Sequence, residues 1–138
     1  MSDPKEERLR QLPLFKDADR KAIENLASLA DEASVSAGQA LITEGHQHRE
    51  VYVIESGTAS VIIDGNEVAE IPAGEMVGEV GFFSGQPASA TVSAKTDMRV
   101  LVIPYNGFDR TMEENPAMVR AVLKELAERL YATDAKLQ

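Results

Sequence analysis

Cysteine is absent, so the chain has no disulfide framework, no thiolate metal site and no thiol nucleophile. No apolar run approaches the roughly 20 residues a membrane-spanning helix needs, and the opening MSDPKEERLR is charged and lacks the apolar core of a secretory signal. These absences predict a cytoplasmic protein. Positive charge is also scarce where it would count most. Over residues 31–106 only Arg49, Lys95 and Arg99 stand against eleven acids, while the flanks are nearly balanced. A duplex-binding surface neutralises phosphates with Lys and Arg, so the middle of the chain is not expected to bind nucleic acid. What is present suits one globular domain: 138 residues, 43% hydrophobic and 27% charged, with a formal net charge of −9.

Residues 1–8 are polar and expected to be disordered, and the domain is expected to span residues 9–138. In DADRKAIENLASLAD the side chains Ile23, Leu26 and Leu29 recur at helical spacing behind Asp17, a candidate N-cap. From residue 33 to 104 the pattern changes to short β-rich runs, LIT, VYVIES, TASVIID, EVAEI, TVSA and MRVLVI, parted by turn signals. Asp64-Gly65 between two of them is a hairpin signal. Short strands with regular turns predict a small barrel or β-roll, which hides its own edges. Helical periodicity returns near Phe108 and continues through NPAMVRAVLKELAERLYATD, where Asn115 is the expected N-cap and Pro116 the first helical residue. Val119, Leu123, Leu126 and Leu130 are spaced by four, three and four, which suits either packing on the β-roll or zipping to a second copy.

The stretch GEVGFFSGQPASATV, residues 78–92, is a glycine-punctuated loop of small residues without a Lys or Arg. Together with EGHQHREVYVIESGTASV before it and MRVLVIPYNGFDRTMEENP after it, it resembles the cyclic-nucleotide-binding domain family, the sensor module of catabolite-activator-type regulators, cyclic-nucleotide-dependent kinases and gated channels. The resemblance implies an α+β, mainly β fold. A double-stranded β-helix, or jelly roll, would be flanked by an N-terminal helix and C-terminal helices. It also implies that residues 78–92 are the phosphate-binding cassette, with backbone amides facing a cyclic phosphate and Glu79 accepting from the ribose 2′-hydroxyl. The ligand-binding set it implies here is Gly78, Glu79, Val80, Ala88, Ser89, Ala90 and Thr91. Where the family carries an arginine that grips the phosphate, this sequence reads PASA and has Ala88. Losing a guanidinium–phosphate contact costs roughly 1.5–3 kcal/mol per bond, so cyclic nucleotides are expected to bind weakly or in an altered way. From residue 50 to 98 the only base is Lys95 among eight acids, a field of the wrong sign for an anion. The family also takes base contacts from the long C-terminal helix, where Arg120, Lys124 and Tyr131 are the candidates.

A second pattern points to a different class. His46, His48, Glu50 and Gly57 approximate the metal motif of cupins. The single residue between His48 and Glu50 is too short a gap, however, and no third histidine exists. No metal or other cofactor is therefore expected, and the histidines read as turn residues. No Ser-His-Asp set or spaced carboxylate pair singles out catalysis, so an enzyme is not expected. No helix-turn-helix follows the last helix within the sequence, which argues against direct DNA reading. The expected function is a non-enzymatic small-molecule sensor or regulatory module. The alternative is a vestigial pocket on a module that works by dimerisation or regulatory protein contact through the C-terminal helix.

Overall fold

The computed structural model describes residues 4–12 and 15–137, with side chains described as far as Tyr131. The chain is helical from Pro4, where its polarity had suggested disorder: α1 spans Pro4–Gln11. One apolar side chain and three polar ties hold it down. Leu9 is fully buried, the Lys5 ammonium donates to the carbonyl of Ala30 at 2.9 Å, and Arg8 pairs with Glu55 at 2.6 Å and with Glu32. Residues 1–3 lie outside the described residues.

The second helix, α2 (Arg20–Leu29), is capped by Asp19 rather than Asp17, its carboxylate accepting from the Ala22 amide at 2.8 Å. It buries Ala22, Ile23, Leu26 and Ala27, while Leu29 is half exposed at the helix end. Eight strands follow: β1 (Asp31–Val35), β2 (Ala40–Ile42), β3 (Glu50–Ser56), β4 (Ala59–Ile63), β5 (Asn66–Ile71), β6 (Met76–Val77), β7 (Thr91–Ala94) and β8 (Met98–Pro104). They form two antiparallel four-stranded sheets, ordered β1-β8-β3-β6 and β2-β7-β4-β5. The β4–β5 hairpin turns on Asp64 and Gly65, both at positive φ, as a two-residue turn that follows the natural strand twist requires.

Strands β1 and β6 escape a reading of local pattern. The segment DEASV is mostly polar and is a strand because β8 pairs with it from Asp31↔Val102 to Val35↔Met98. The two-residue β6 exists only by pairing Val77 with Tyr52 and Met76 with Val53. That short pairing delivers residues 78 and 79 beside β3.

Three helices complete the fold: α3 (Glu79–Ser84), α4 (Tyr105–Glu113) and α5 (Pro116–Leu137). One buried cluster joins Phe15, Ile23, Leu26, Phe108, Met118 and Val122 of the helical layer to Val51, Val53, Leu101 and Ile103 of the first sheet. A second fills the roll with Ile42, Ile54, Val77, Val92 and Val100. This is the jelly-roll fold with N- and C-terminal helices that the resemblance implied. Asn115 caps α5 as expected, accepting from the Met118 amide at 3.2 Å. The face that α5 buries carries Met118 and Val122, each 1% exposed, whereas Leu123 and Leu130 of the expected seam are 52% and 64% exposed and do not pack on the β-roll. Val119 and Leu126 pack partly against the core. Among the described residues no helix is long and apolar enough to cross a membrane.

Candidate functional site

Between the cassette, the second sheet and α5 lies a cavity of about 550 Å³. Gly78 opens its floor. Its φ of 98° is left-handed, and a Cβ there would come within 2.8 Å of the Glu50 carbonyl oxygen, so only glycine lets the chain turn from β6 into α3 against β3. The turn points the next side chain inward. Glu79 is 1% exposed, the only buried carboxylate residue among the described residues.

Arg129 on α5 answers that buried carboxylate. One guanidinium nitrogen meets Glu79 Oε1 at 2.5 Å, the other donates to the Met76 carbonyl and to Glu125, and Glu75 stands 3.9 Å away. Glu125 in turn accepts from the Met76 amide at 3.3 Å. Burial pushes the Glu79 carboxyl up, against the lowering pull of Arg129, and Glu75 adds to the rise. Burial likewise raises Glu125 to about 7, opposed by Arg129 and reinforced by Glu79 and Glu75. Only one oxygen of Glu79 is used: Oε2 is buried with no hydrogen-bond partner among the described residues.

The other wall is built by Tyr105 and His48. The Tyr105 hydroxyl donates to the Gly78 carbonyl at 2.7 Å and lies 3.0 Å from His48 Nδ1. Burial, then the charge of Glu79, pushes Tyr105 up to about 12, so it remains a proton donor at any physiological pH. Phe82 makes edge-to-face contacts at 5.1 Å with the Tyr105 ring and with Phe108, which tie α3 to α4.

Of the residues expected to bind ligand, Gly78, Glu79, Val80, Ala88, Ser89 and Ala90 all line this cavity. Thr91 does not: its hydroxyl accepts from the Glu44 amide at 3.0 Å, as strand-end hydroxyls commonly do. Ala88 is pinned to the β2–β3 turn, its amide donating to the His46 carbonyl at 3.0 Å and its carbonyl accepting from Gly45 at 2.8 Å. Lys95 is spent elsewhere, on Glu67 at 3.2 Å and on Glu70. On α5 the anticipated bases are misplaced. Arg120 and Lys124 line a separate groove with Lys16 and Asp17, and Tyr131 is 77% exposed.

Arg129, Glu125, Tyr105 and His48 were missed as site residues. A signal for the first two exists: Met118, Val122, Glu125 and Arg129 repeat the four-three-four spacing one residue ahead of the leucines, so the buried seam simply turns polar where it reaches the cassette. His46 and His48 gather no metal set; among the described residues no three His, Cys, Asp or Glu side chains converge on a point.

The match to family models covers residues 32–115 and is to the cyclic nucleotide-binding domain. The chain belongs to that family. Among curated proteins, this cyclic nucleotide-binding domain is 34% identical over 106 residues to a cAMP-dependent protein kinase regulatory subunit of Yarrowia lipolytica, covering 75% of this chain and 28% of that protein. It is 31% identical over 123 residues to an uncharacterized NTE family protein of Mycobacterium tuberculosis, covering 88% of this chain and 21% of that protein. The chain therefore spans well under half the length of these relatives. Two solved structures of Trypanosoma regulatory subunits, each of a cAMP-independent protein kinase A, share the fold. The T. cruzi one, bound to guanosine, is 24% identical with a TM-score of 0.70, over 78% of this chain and 39% of that one. The T. brucei one, a triple mutant with one introduced arginine and cAMP bound in its A site, is 26% identical with a TM-score of 0.77, over 96% and 50%.

Proposed function

We propose that this domain is a non-enzymatic regulatory sensor whose pocket takes an uncharged ribonucleoside in preference to a cyclic nucleotide. The observation that carries the reading is the charge around the cavity. Glu70, Glu75, Glu79, Glu125 and Glu128 line it, and the one guanidinium there, Arg129, is already engaged by carboxylates. At position 88, where the family pattern has its phosphate-gripping arginine, there is a methyl group. An anion entering this cavity loses its solvation and finds acceptors; a neutral ribose brings hydroxyl donors to the same acceptors. The guanosine-bound T. cruzi protein supports the view that this fold has room for an uncharged nucleoside.

Binding and regulation would be one event. A ribose hydroxyl donating to Glu79 Oε2, the oxygen that Arg129 leaves unpaired, would alter the Glu79–Arg129 contact and so bias the far half of α5. Calorimetric titration of the wild type and Ala88→Arg with guanosine, cyclic AMP and cyclic GMP tests the reading. The wild type is expected to bind guanosine more tightly than either cyclic nucleotide, and Ala88→Arg to gain about 10- to 100-fold for the cyclic nucleotides. Tighter binding of cyclic AMP than of guanosine by the wild type would overturn it.

A second reading rests on a different observation. Leu123, Leu130 and Tyr131 are exposed along α5, an apolar strip suited to a second copy or a regulatory protein helix. It holds as the main function if no nucleoside or nucleotide binds.

A further inference from the structure

We infer that His48 is a second hydrogen-bond acceptor of the pocket, lining the same cavity as Glu79, so that the site reads a ribose with both hydroxyls free. The inference rests on the nucleoside reading above and assigns its selectivity to a particular atom.

Proton counting sets the state of the imidazole. Tyr105 has one hydroxyl proton and gives it to the Gly78 carbonyl at 2.7 Å. The His48 Nδ1 atom lies 3.0 Å from the same phenolic oxygen and 3.3 Å from the Glu50 carbonyl oxygen. Neither oxygen has a proton left to offer, so Nδ1 carries the hydrogen and shares it between them. In the neutral ring Nε2 is then a bare acceptor.

That acceptor is unused and uncovered. Among the described residues no group donates to Nε2. A Cβ at residue 81 would sit 3.0 Å from it, and Gly81 leaves that edge of the ring open. His48 lines the same cavity as Glu79, whose Oε2 is buried and without a partner. A buried acceptor with no donor is costly, so Glu79 Oε2 favours a ligand that brings a hydrogen, and the half-buried His48 Nε2 is open to accept a second one.

A ligand matching both acceptors needs two donors. In a 3′,5′-cyclic nucleotide the 3′-oxygen is esterified, so only the 2′-hydroxyl can donate, and His48 would face an ester oxygen with no proton between them. An open ribose carries 2′- and 3′-hydroxyls on adjacent carbons. With Glu79 taking the 2′-hydroxyl, as the family resemblance implies, the 3′-hydroxyl falls to His48. Sites built to bond a hydroxyl discriminate strongly against analogues lacking it.

The test compares guanosine with 3′-deoxyguanosine on the wild type and on His48→Asn, whose side-chain amide can keep the Nδ1-type donor to Tyr105 but has nothing at Nε2. The wild type is expected to lose about tenfold or more in affinity on removal of the 3′-hydroxyl. His48→Asn is expected to bind both nucleosides equally, at the level of the wild type with the deoxy analogue. Equal binding of the two by the wild type overturns the assignment and needs no variant to fold. Discrimination that persists in His48→Asn overturns it too. Failure of the wild type to bind guanosine at all is a distinct outcome, which sinks the nucleoside reading and this assignment with it.

Discussion

Along α5, Met118 and Val122 are 1% exposed and sit among Phe108, Ile103 and Leu26. Two turns later Glu125 and Arg129 occupy the same face of the helix and meet carboxylates and a carbonyl instead of side-chain carbon. The near half is held by area removed from water, which no small ligand can replace. The far half is held by hydrogen bonds of the Arg129 guanidinium to Glu79, Glu125 and the Met76 carbonyl. One helix thus has an apolar anchor and a polar half that, under the proposed function, acts as the latch, and the boundary falls where the seam turns from apolar to charged.

If that division is right, damage to the two halves should differ in kind. The largest effect belongs to the anchor: Met118→Ala should cost about 2–5 kcal/mol by urea denaturation, because it empties a site in the main core. Arg129→Ala comes next, at about 1–3 kcal/mol, since Glu79 is left buried with neither oxygen paired. Its signature is local, with faster amide exchange confined to the far half of α5 and the cassette. Exchange spreading through the near half would merge the two regions into one unit.

A smaller effect is tied to pH. Glu125 is raised from 4.5 to about 7 in the folded protein, so the native state keeps a proton that the unfolded chain has released. Stability from this group therefore falls as pH rises from about 4.5 to about 7 and is level on either side. Glu79 is raised in the same direction. The urea midpoint of Glu125→Gln should decline less steeply than that of the wild type across this window; an unchanged slope would place the coupling elsewhere. The smallest effect is at Leu123, half exposed on the other face. Leu123→Glu should change monomer stability by no more than about 0.5 kcal/mol. Light scattering then reports whether the strip joins two copies, because only then does the variant lower the measured mass.

The order of elements was legible where local pattern and tertiary role agree. The Asp64-Gly65 hairpin, the β-rich middle and the Asn115-Pro116 helix start are of this kind. The residues of the cassette were legible through resemblance, and six of the seven line one cavity. What escaped did so for identifiable reasons. The segment DEASV carries no strand alternation of its own and is paired by β8. Thr91 had a nearer partner in Glu44. On α5 two seams with the same spacing lie one residue apart, and the wholly apolar one, Val119, Leu123, Leu126 and Leu130, stands out in the sequence because its hydrophobicity is uninterrupted.

By itself the sequence determined that the middle of the chain is acidic and β-rich and that its ends are helical, which follows from residue identity and short-range periodicity. The β-roll, and a cassette with Ala88 where the family carries an arginine, were read through the family resemblance. Only the tertiary structure decided what faces Glu79. A helix fifty residues downstream contributes the guanidinium, and a tyrosine from a third element brings its hydroxyl to 3.0 Å from an imidazole in a turn. Both depend on distances between atoms far apart in the chain, set by packing and not by any local pattern.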